Sequence, residues 1–150
     1  MKDAGREIKA VIFDLDGTLV DTADEFITVV RALRDTHGLA PLPAAQVRQS
    51  VSNGSGALVT LALDCPPSDP RYEQWRLQFL EDYEQLLGTQ AKPYPGLPLL
   101  VKQLHNAGVS WAVATNKFRR YAEPLMAAMN FQPPAASLIT PCDVTHPKPH

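Results

Sequence analysis

The sequence predicts an α/β protein in which a parallel sheet is interrupted by a long helical insert. Short apolar runs typical of strands alternate with helical patterns, and this alternation favours parallel strands joined by right-handed crossovers. After the first strand, residues from about 22 to 92 carry helical patterns. Polar residues follow each predicted strand, and ligands bind beyond the carboxyl ends of the strands in such sheets.

The first unit is predicted to be a strand, an acidic loop and a helix. Val11–Phe13 is β-branched and aromatic, which predicts a buried strand, and Asp14–Thr18 ends it. Thr22 and Glu25 match a capping box, in which a hydroxyl and a carboxylate three residues later each bond the other's main chain. Apolar residues at helical spacing follow, and Gly38 is predicted to end the helix.

The insert is predicted to contain three more helices. Two short helices over residues 44–63 are expected to meet at Asn53–Gly56. Cys65–Pro70 is a turn cluster. Aromatic and leucine residues from Tyr72 to Leu87 then recur with a period of 3.6, which predicts a longer helix whose aromatic face lies in a core.

The chain after Pro93–Gly96 is predicted to return to alternating elements. These are a helix at Leu97–Asn106 ended by Gly108, a strand at Ser110–Ala114, a helix at Arg119–Met129 and a strand at Ser137–Thr140, with a proline-rich loop at 141–150.

Composition narrows the function classes. The 150 residues are 45% hydrophobic and 20% charged, which is typical of a globular protein. The net charge of −2 gives no basis for nucleic-acid binding. No apolar run approaches the ~20 residues of a membrane span, and the charged first ten residues do not resemble a secretory signal. The two cysteines, which share no metal or redox spacing, predict reduced thiols in a cytoplasmic protein. Oligomeric state is not predicted.

Two carboxylates follow the first strand. The side chains of Asp14 and Asp16 are expected to point in opposite directions, so that one attacks as a nucleophile while the other exchanges protons. Gly17 permits a sharp turn, and Thr18 is expected to bond back to the loop. The N–H groups of Leu15 and Asp16 are then expected to face an anion.

The other two strands are followed by residues suited to phosphate. Thr115 and Asn116 precede a helix, whose N-terminus offers unpaired N–H groups to an anion. Lys148 supplies a positive point charge, and Mg²⁺ commonly bridges carboxylates and phosphate. Taken singly, these residues also fit a turn, a helix cap and a solvated lysine. Together, these residues follow three predicted strands whose carboxyl ends share one edge of a sheet, so they are expected to form one phosphate site.

These segments resemble the motifs of the haloacid dehalogenase-like (HAD) superfamily. Val11–Leu19 is similar to its first motif, Val113–Asn116 to its second, and Lys148-Pro149 to its third. The likeness is greatest to the phosphoglycolate phosphatase-like branch. It rests on Asp21-Thr22, Ser52–Ala57, Phe79–Tyr83, Thr115–Lys117 and Arg120–Pro124.

The resemblance implies a fold and a chemistry. It implies an α/β fold with a Rossmann-like parallel sheet core over 1–21 and 93–150, incomplete because its last strands are lacking, and an inserted α-helical cap domain over 22–92. It also implies Mg²⁺-dependent hydrolysis of a phosphomonoester through an aspartyl-phosphate. The expected substrate is a small phosphorylated metabolite, either phosphoglycolate or a sugar-acid phosphate such as N-acetylmuramic acid 6-phosphate.

The resemblance further implies a role for each matching residue. Asp14 is the nucleophile, Asp16 the general acid/base, Thr115 a phosphate ligand and Lys148 the basic residue. The metal ligands are the Asp14 side chain and the Asp16 carbonyl. Substrate or phosphate binding is expected of Leu15, Gly17, Thr18, Asn116 and Lys117 in the core, and of Asn53 and Gly54 in the insert. A plain turn between helices is the alternative for the last pair.

The family pattern also contains a fourth motif, a strand that ends in acidic metal ligands and lies beside the first strand. Only Pro149 and His150 follow Lys148. Without that strand, the first strand is expected to be an apolar sheet edge. The alternative is therefore a truncated, inactive or partner-dependent remnant of a phosphatase, and a phosphomutase is a further alternative.

Overall fold

The structure is a computed structural model that describes residues 7–150. Residues 1–6, which belong to the predicted charged N-terminus and to the predicted core segment, lie outside the described residues. The chain divides into two compact units. One consists of the chain up to Leu19 together with Pro93–His150, and the other is Val20–Lys92.

The elements follow the predicted order closely. The strands are β1 (Ala10–Phe13), β2 (Val20–Asp21), β3 (Lys92–Pro93), β4 (Ser110–Ala114) and β5 (Leu138–Ile139). The helices are α1 (Ala23–Thr36), α2 (Ala44–Ser50), α3 (Gly54–Leu63), α4 (Tyr72–Leu86), α5 (Leu97–Asn106) and α6 (Arg119–Met129). Two 3₁₀ turns lie at Val51–Asn53 and Pro141–Asp143.

The first unit contains a parallel sheet in the order β1-β4-β5, which confirms the predicted α/β fold. Phe13 pairs with Val113 in β4, and Val113 pairs with Leu138 in β5. The carboxyl ends of the three strands therefore lie along one edge of the sheet. Below this edge, Trp111 packs edge-on against both Phe13 and Phe131, and Val113 is fully buried.

The prediction that β1 is buried is wrong. Among the described residues, β1 is an edge strand of its sheet, and the side chain of Ile12 is 67% exposed. A short apolar run has the same composition at the centre and at the edge of a sheet, so its sequence does not reveal which neighbours it has. The expectation of an apolar edge at this strand agrees with the structure.

The second unit is a helical core with an aromatic centre. Phe26 of α1 stacks on Tyr83 of α4 at 4.3 Å between ring centroids and lies parallel to Phe79 at 6.1 Å. Both α4 residues are fully buried, which confirms that the aromatic stripe is a core face. The two short helices meet at the glycines as predicted, with a 3₁₀ turn ending at Asn53 and a positive φ of 83° at Gly54.

The predicted capping box at the start of α1 is wrong. Thr22 occupies the N-cap position, but its side chain makes no capping hydrogen bond. Glu25 is fully buried, and its Oε1 accepts hydrogen bonds from the main-chain N–H groups of Gln90 at 3.2 Å and Ala91 at 3.1 Å. Asp21 Oδ1 instead accepts the N–H of Ala23 at 3.1 Å. The Glu25 carboxylate thus accepts from main-chain N–H groups that are 65 and 66 residues further along the chain. The local sequence pattern around Glu25 gives no sign of these partners.

Two smaller features were not predicted. The two-residue strands β2 and β3 pair with each other, and such short strands carry no periodic pattern. Residues 141–143, predicted as loop, form a 3₁₀ turn. A capping box stabilises this turn: the Thr140 side chain accepts the N–H of Cys142, and the Asp143 carboxylate accepts the N–H of Thr140.

Candidate active site

Three residues meet at one edge of the sheet: Asp14 directly after β1, Ala114 at the end of β4, and Lys148 in the loop that follows β5. Lys148 is 134 residues from Asp14. Lys148 Nζ donates to Asp14 Oδ1 at 2.8 Å and to the carbonyl of Ala114 at 2.7 Å. The N–H of Leu15 also donates to Asp14 Oδ1 at 2.8 Å. One carboxylate oxygen of Asp14 is therefore fixed by a cation and by the main chain.

Asp16 pairs with a different lysine. Lys117 Nζ lies 3.1 Å and 3.3 Å from the two carboxylate oxygens of Asp16. The Lys117 side chain is only 7% exposed and that of Asp16 21%, so this ion pair is shielded from water more than that of Asp14. The two aspartates thus contact separate lysines.

Thr115 is buried directly after β4. Its N–H donates to the carbonyl of Ile139 at 3.0 Å, which fixes it against β5, and its hydroxyl oxygen accepts the N–H of Lys117 at 3.0 Å. Within residues 7–150, its hydroxyl proton has no protein acceptor. This hydroxyl can therefore donate to an anion.

Asn116 lies at the surface, and both polar atoms of its side-chain amide contact the main chain of Lys148. Nδ2 donates to the Lys148 carbonyl at 3.1 Å, and Oδ1 accepts the Lys148 N–H at 3.0 Å. The sequence predicts a phosphate-binding role for Asn116, and the structure assigns its amide a protein partner.

The loop after β1 is a tight turn. The N–H groups of Thr18 and Leu19 both donate to the carbonyl of Leu15, at 3.4 Å and 3.0 Å. Gly17 has a φ of 77°, a conformation that favours glycine. Leu15 is fully buried and its N–H is directed at Asp14, whereas Gly17 and Thr18 are exposed.

Arg119 and Asp143 support the loop that carries Lys148, a contact that the sequence does not predict. Arg119 Nη2 lies 2.6 Å and 2.5 Å from the two carboxylate oxygens of Asp143. The hydrogen bonds from Arg119 and then from the Thr140 main chain lower the pKa of Asp143 to about 2. The same carboxylate raises the pKa of the Arg119 guanidinium above its ordinary value. A threonine three residues before an aspartate, as at 140–143, is the sequence signal that could have predicted this turn.

The predicted insert residues lie in the second unit. Asn53 is the N-cap residue of α3, where its side chain makes no capping hydrogen bond, and Gly54 is the first residue of that helix.

Few side chains in the described part of the chain are placed to act together as ligands of a metal ion. No group of three or more His, Cys, Asp or Glu side chains within residues 7–150 is arranged to hold a metal ion. The Asp14 carboxylate and the Asp16 carbonyl are hard oxygen donors. Mg²⁺ is commonly bound by one or two carboxylates, with phosphate oxygens and water as its other ligands, so their chemistry fits this ion.

Comparison with known proteins identifies the family. The sequence model of haloacid dehalogenase-like hydrolases matches residues 8–150. The chain belongs to this family. The match confirms the resemblance drawn from the three motifs at the strand ends.

Individual HAD-like relatives are phosphatases by name. The chain is 40% identical over 142 residues to an N-acetylmuramic acid 6-phosphate phosphatase of Pseudomonas aeruginosa, covering 95% of this chain and 63% of the relative. It is 37% identical over 142 residues to a phosphoglycolate phosphatase of Xanthomonas campestris pv. campestris, covering 95% of this chain and 64% of the relative. The chain therefore spans less than two thirds of the length of these relatives.

A solved structure shares the fold. A crystal structure described as a predicted phosphoglycolate phosphatase from Haemophilus somnus matches with a TM-score of 0.80 at 23% identity, covering 95% of this chain and 67% of that one. Within residues 7–150, no helix has the length and apolar character needed to cross a bilayer.

Proposed function

We propose that this HAD-like protein hydrolyses a phosphomonoester through an aspartyl-phosphate on Asp14. The observation that carries the proposal is the hydrogen bond of 2.8 Å between Lys148 Nζ and Asp14 Oδ1, which joins the residue after β1 to the loop that follows β5 in the same parallel sheet. Carboxylates are established nucleophiles in aspartyl-phosphate chemistry, and a lysine supplies the positive charge that such a site needs.

The two oxygens of Asp14 have different surroundings, which defines the attacking atom. Oδ1 accepts from both Leu15 N–H and Lys148 Nζ, whereas Oδ2 has no hydrogen-bond donor within residues 7–150. In the proposed first step Oδ2 attacks phosphorus, forming an O–P bond as the bond from phosphorus to the ester oxygen breaks. Lys148 partly neutralises the carboxylate and the phosphate that approaches it.

Asp16 is the proposed proton carrier for both steps. In its protonated form it gives its proton to the departing alcohol oxygen, and as a carboxylate it then takes a proton from water. That water attacks phosphorus and breaks the bond to Asp14, which releases phosphate and restores the carboxylate. Lys117 holds the Asp16 carboxyl group in a fixed direction through its two contacts.

The remaining ligands are also proposals. The Thr115 hydroxyl is available to donate to a phosphate oxygen, and the N–H groups and small residues of the loop at 15–18 lie beside the nucleophile. The Asp14 carboxylate and the Asp16 carbonyl would hold Mg²⁺, which when bound neutralises phosphate charge as a Lewis acid.

The proposed substrate is a small phosphorylated metabolite, on the strength of the relatives' names. Phosphoglycolate and N-acetylmuramic acid 6-phosphate are the candidates, and the ratio of their kcat/KM values would choose between them. We assign the helical unit as a cap that selects substrate, and Asn53 and Gly54 remain candidate substrate-binding residues from the sequence alone. An inactive remnant is not favoured, because the described residues include two aspartates after β1, a threonine after β4 and a lysine in the loop that follows β5.

The test is hydrolysis of p-nitrophenyl phosphate by the protein with Mg²⁺ present and with it removed by a chelator. Asp14→Asn is expected to lower kcat by about three orders of magnitude or more. Asp35→Asn, the same change at an exposed aspartate of α1, is the matched control and is expected to leave kcat unchanged. Full turnover by Asp14→Asn would contradict the proposal.

A further inference from the structure

Lys148 lies in a loop that no helix or strand of its own holds in place. Residues 144–150 follow the 3₁₀ turn at Pro141–Asp143, contain no helix or strand, and are exposed. A lysine side chain has four flexible carbon–carbon bonds, so the position of its main chain strongly affects where its ammonium group can reach. Something outside this loop must therefore fix the main chain of Lys148.

Asn116 fixes it at two points. Its Nδ2 donates to the Lys148 carbonyl at 3.1 Å, and its Oδ1 accepts the Lys148 N–H at 3.0 Å. One amide thus pairs with both polar main-chain groups of a single residue, which sets the orientation of that residue as well as its position. The pairing occupies the amide oxygen and one of the two N–H bonds of Nδ2.

A second contact from the same region fixes the start of the loop. Arg119, three residues after Asn116, pairs with Asp143, and Asp143 in turn accepts the N–H and the hydroxyl of Thr140, both at 2.8 Å. The segment that follows β4 therefore holds the Lys148 loop at two places, five residues apart. Of these two contacts, only the one made by Asn116 acts on the main chain of Lys148 itself.

We propose that Asn116 is a positioning residue that clamps the main chain of Lys148, so that Nζ reaches Asp14, and that it is not a ligand of the substrate phosphate. The effect on turnover rests on the proposed phosphatase function, whereas the clamp itself does not. A displacement of about 1 Å in a reacting group costs up to about 100-fold in rate, so loss of the clamp is expected to lower kcat by about 10- to 100-fold.

The first experiment measures the clamp without requiring activity. The protein is labelled with acetic anhydride, and peptide mass spectrometry gives the acetylation rate of each lysine. Asn116→Ala is expected to raise the rate at Lys148 several-fold, because Nζ then leaves Asp14 and the Ala114 carbonyl. The rate at exposed Lys102 on α5 reports general effects and is expected not to change.

Two further variants test whether a change in the labelling rate of Lys148 is specific to the Asn116 amide. Asn106→Ala, the same change at an exposed position of α5, is expected to leave labelling of Lys148 at the wild-type rate. Asn116→Asp retains an acceptor for the Lys148 N–H and loses the donor, so its labelling rate is expected to lie between those of wild type and Asn116→Ala. Unchanged labelling of Lys148 in both Asn116 variants would overturn the proposal.

The second experiment separates positioning from phosphate binding. If Asn116 acts through Lys148, Asn116→Ala lowers kcat, raises the inhibition constant of inorganic phosphate no more than Lys148→Met does, and adds no further change in either quantity to Lys148→Met. A raised inhibition constant with unchanged kcat would identify Asn116 as a phosphate ligand and overturn the proposal. If the wild-type protein shows no turnover, the proposed function fails while the labelling experiment still decides on the clamp.

Discussion

Glu25 offers a quantitative test of how the helical unit is held together. It is fully buried, and its Oε1 accepts the N–H groups of Gln90 and Ala91, which immediately precede β3. Its Oε2 is buried without a hydrogen-bond partner among residues 7–150. The carboxylate therefore stabilises two main-chain donors, while its second oxygen pays a desolvation cost.

Two substitutions separate these contributions. Glu25→Gln keeps an acceptor for both N–H groups and removes the charge, and Glu25→Met has a similar length but no acceptor. Ala91 is buried, so its unpaired N–H costs about 1–3 kcal/mol, and the half-buried Gln90 N–H adds about 1 kcal/mol because water partly replaces its partner. We expect the methionine variant to be less stable than the glutamine variant by about 2–4 kcal/mol.

The assay is urea unfolding of both variants, combined with amide hydrogen exchange at Ala91. Exchange at this amide is expected to be faster in Glu25→Met than in Glu25→Gln, because only the methionine variant lacks an acceptor. Equal unfolding free energies, together with equal exchange rates at Ala91, would refute the reasoning that these two hydrogen bonds are the function of the buried carboxylate.

Four other outcomes are expected. Lys148→Met should lower kcat by about 100-fold or more, since it removes the positive charge beside the nucleophile and the incoming phosphate, and steady-state kinetics would measure this. Lys117→Met should lower kcat by about 10- to 100-fold by releasing Asp16, with a smaller change in KM. Arg34→Met should destabilise the helical unit by about 2–4 kcal/mol in urea unfolding, because buried Arg34 donates to the carbonyls of residues 40, 61 and 62. The pKa of Asp143 lies near 2, below its ordinary value, so the stability that its pairing with Arg119 contributes is fully present above about pH 4 and is lost as the pH falls through about 2. Asp143→Asn should remove that part of the acid dependence of unfolding, and an unchanged acid profile would contradict it.

The fold could be predicted because its signals are local and repeated. β4 and α6 have the predicted bounds, since an apolar run between glycine and polar residues defines a strand and helical spacing defines a helix. The convergence of Asp14 and Lys148 could also be predicted, because parallel strands bring their carboxyl ends, and the loops that follow them, to one edge whatever their separation in sequence.

The errors concern partners that are distant in the chain. Glu25 matched a local capping pattern, but its partners are the main-chain N–H groups at 90 and 91. For Asn116 the sequence predicts phosphate binding, and the contacts of its amide with the main chain of Lys148 are not visible in the sequence pattern. A residue type and its spacing state which bonds a side chain can make, and only the folded chain decides which distant group is near enough to make them.

The most direct test of the central claim is to trap the phosphorylated protein. The protein is mixed with p-nitrophenyl phosphate and Mg²⁺, quenched in acid within one turnover, and mapped by peptide mass spectrometry. We predict a phosphoryl group on Asp14, absent from Asp14→Asn and retained in Asp35→Asn. Turnover with a phosphoryl group on a different residue, or with wild-type turnover by Asp14→Asn, would contradict the account.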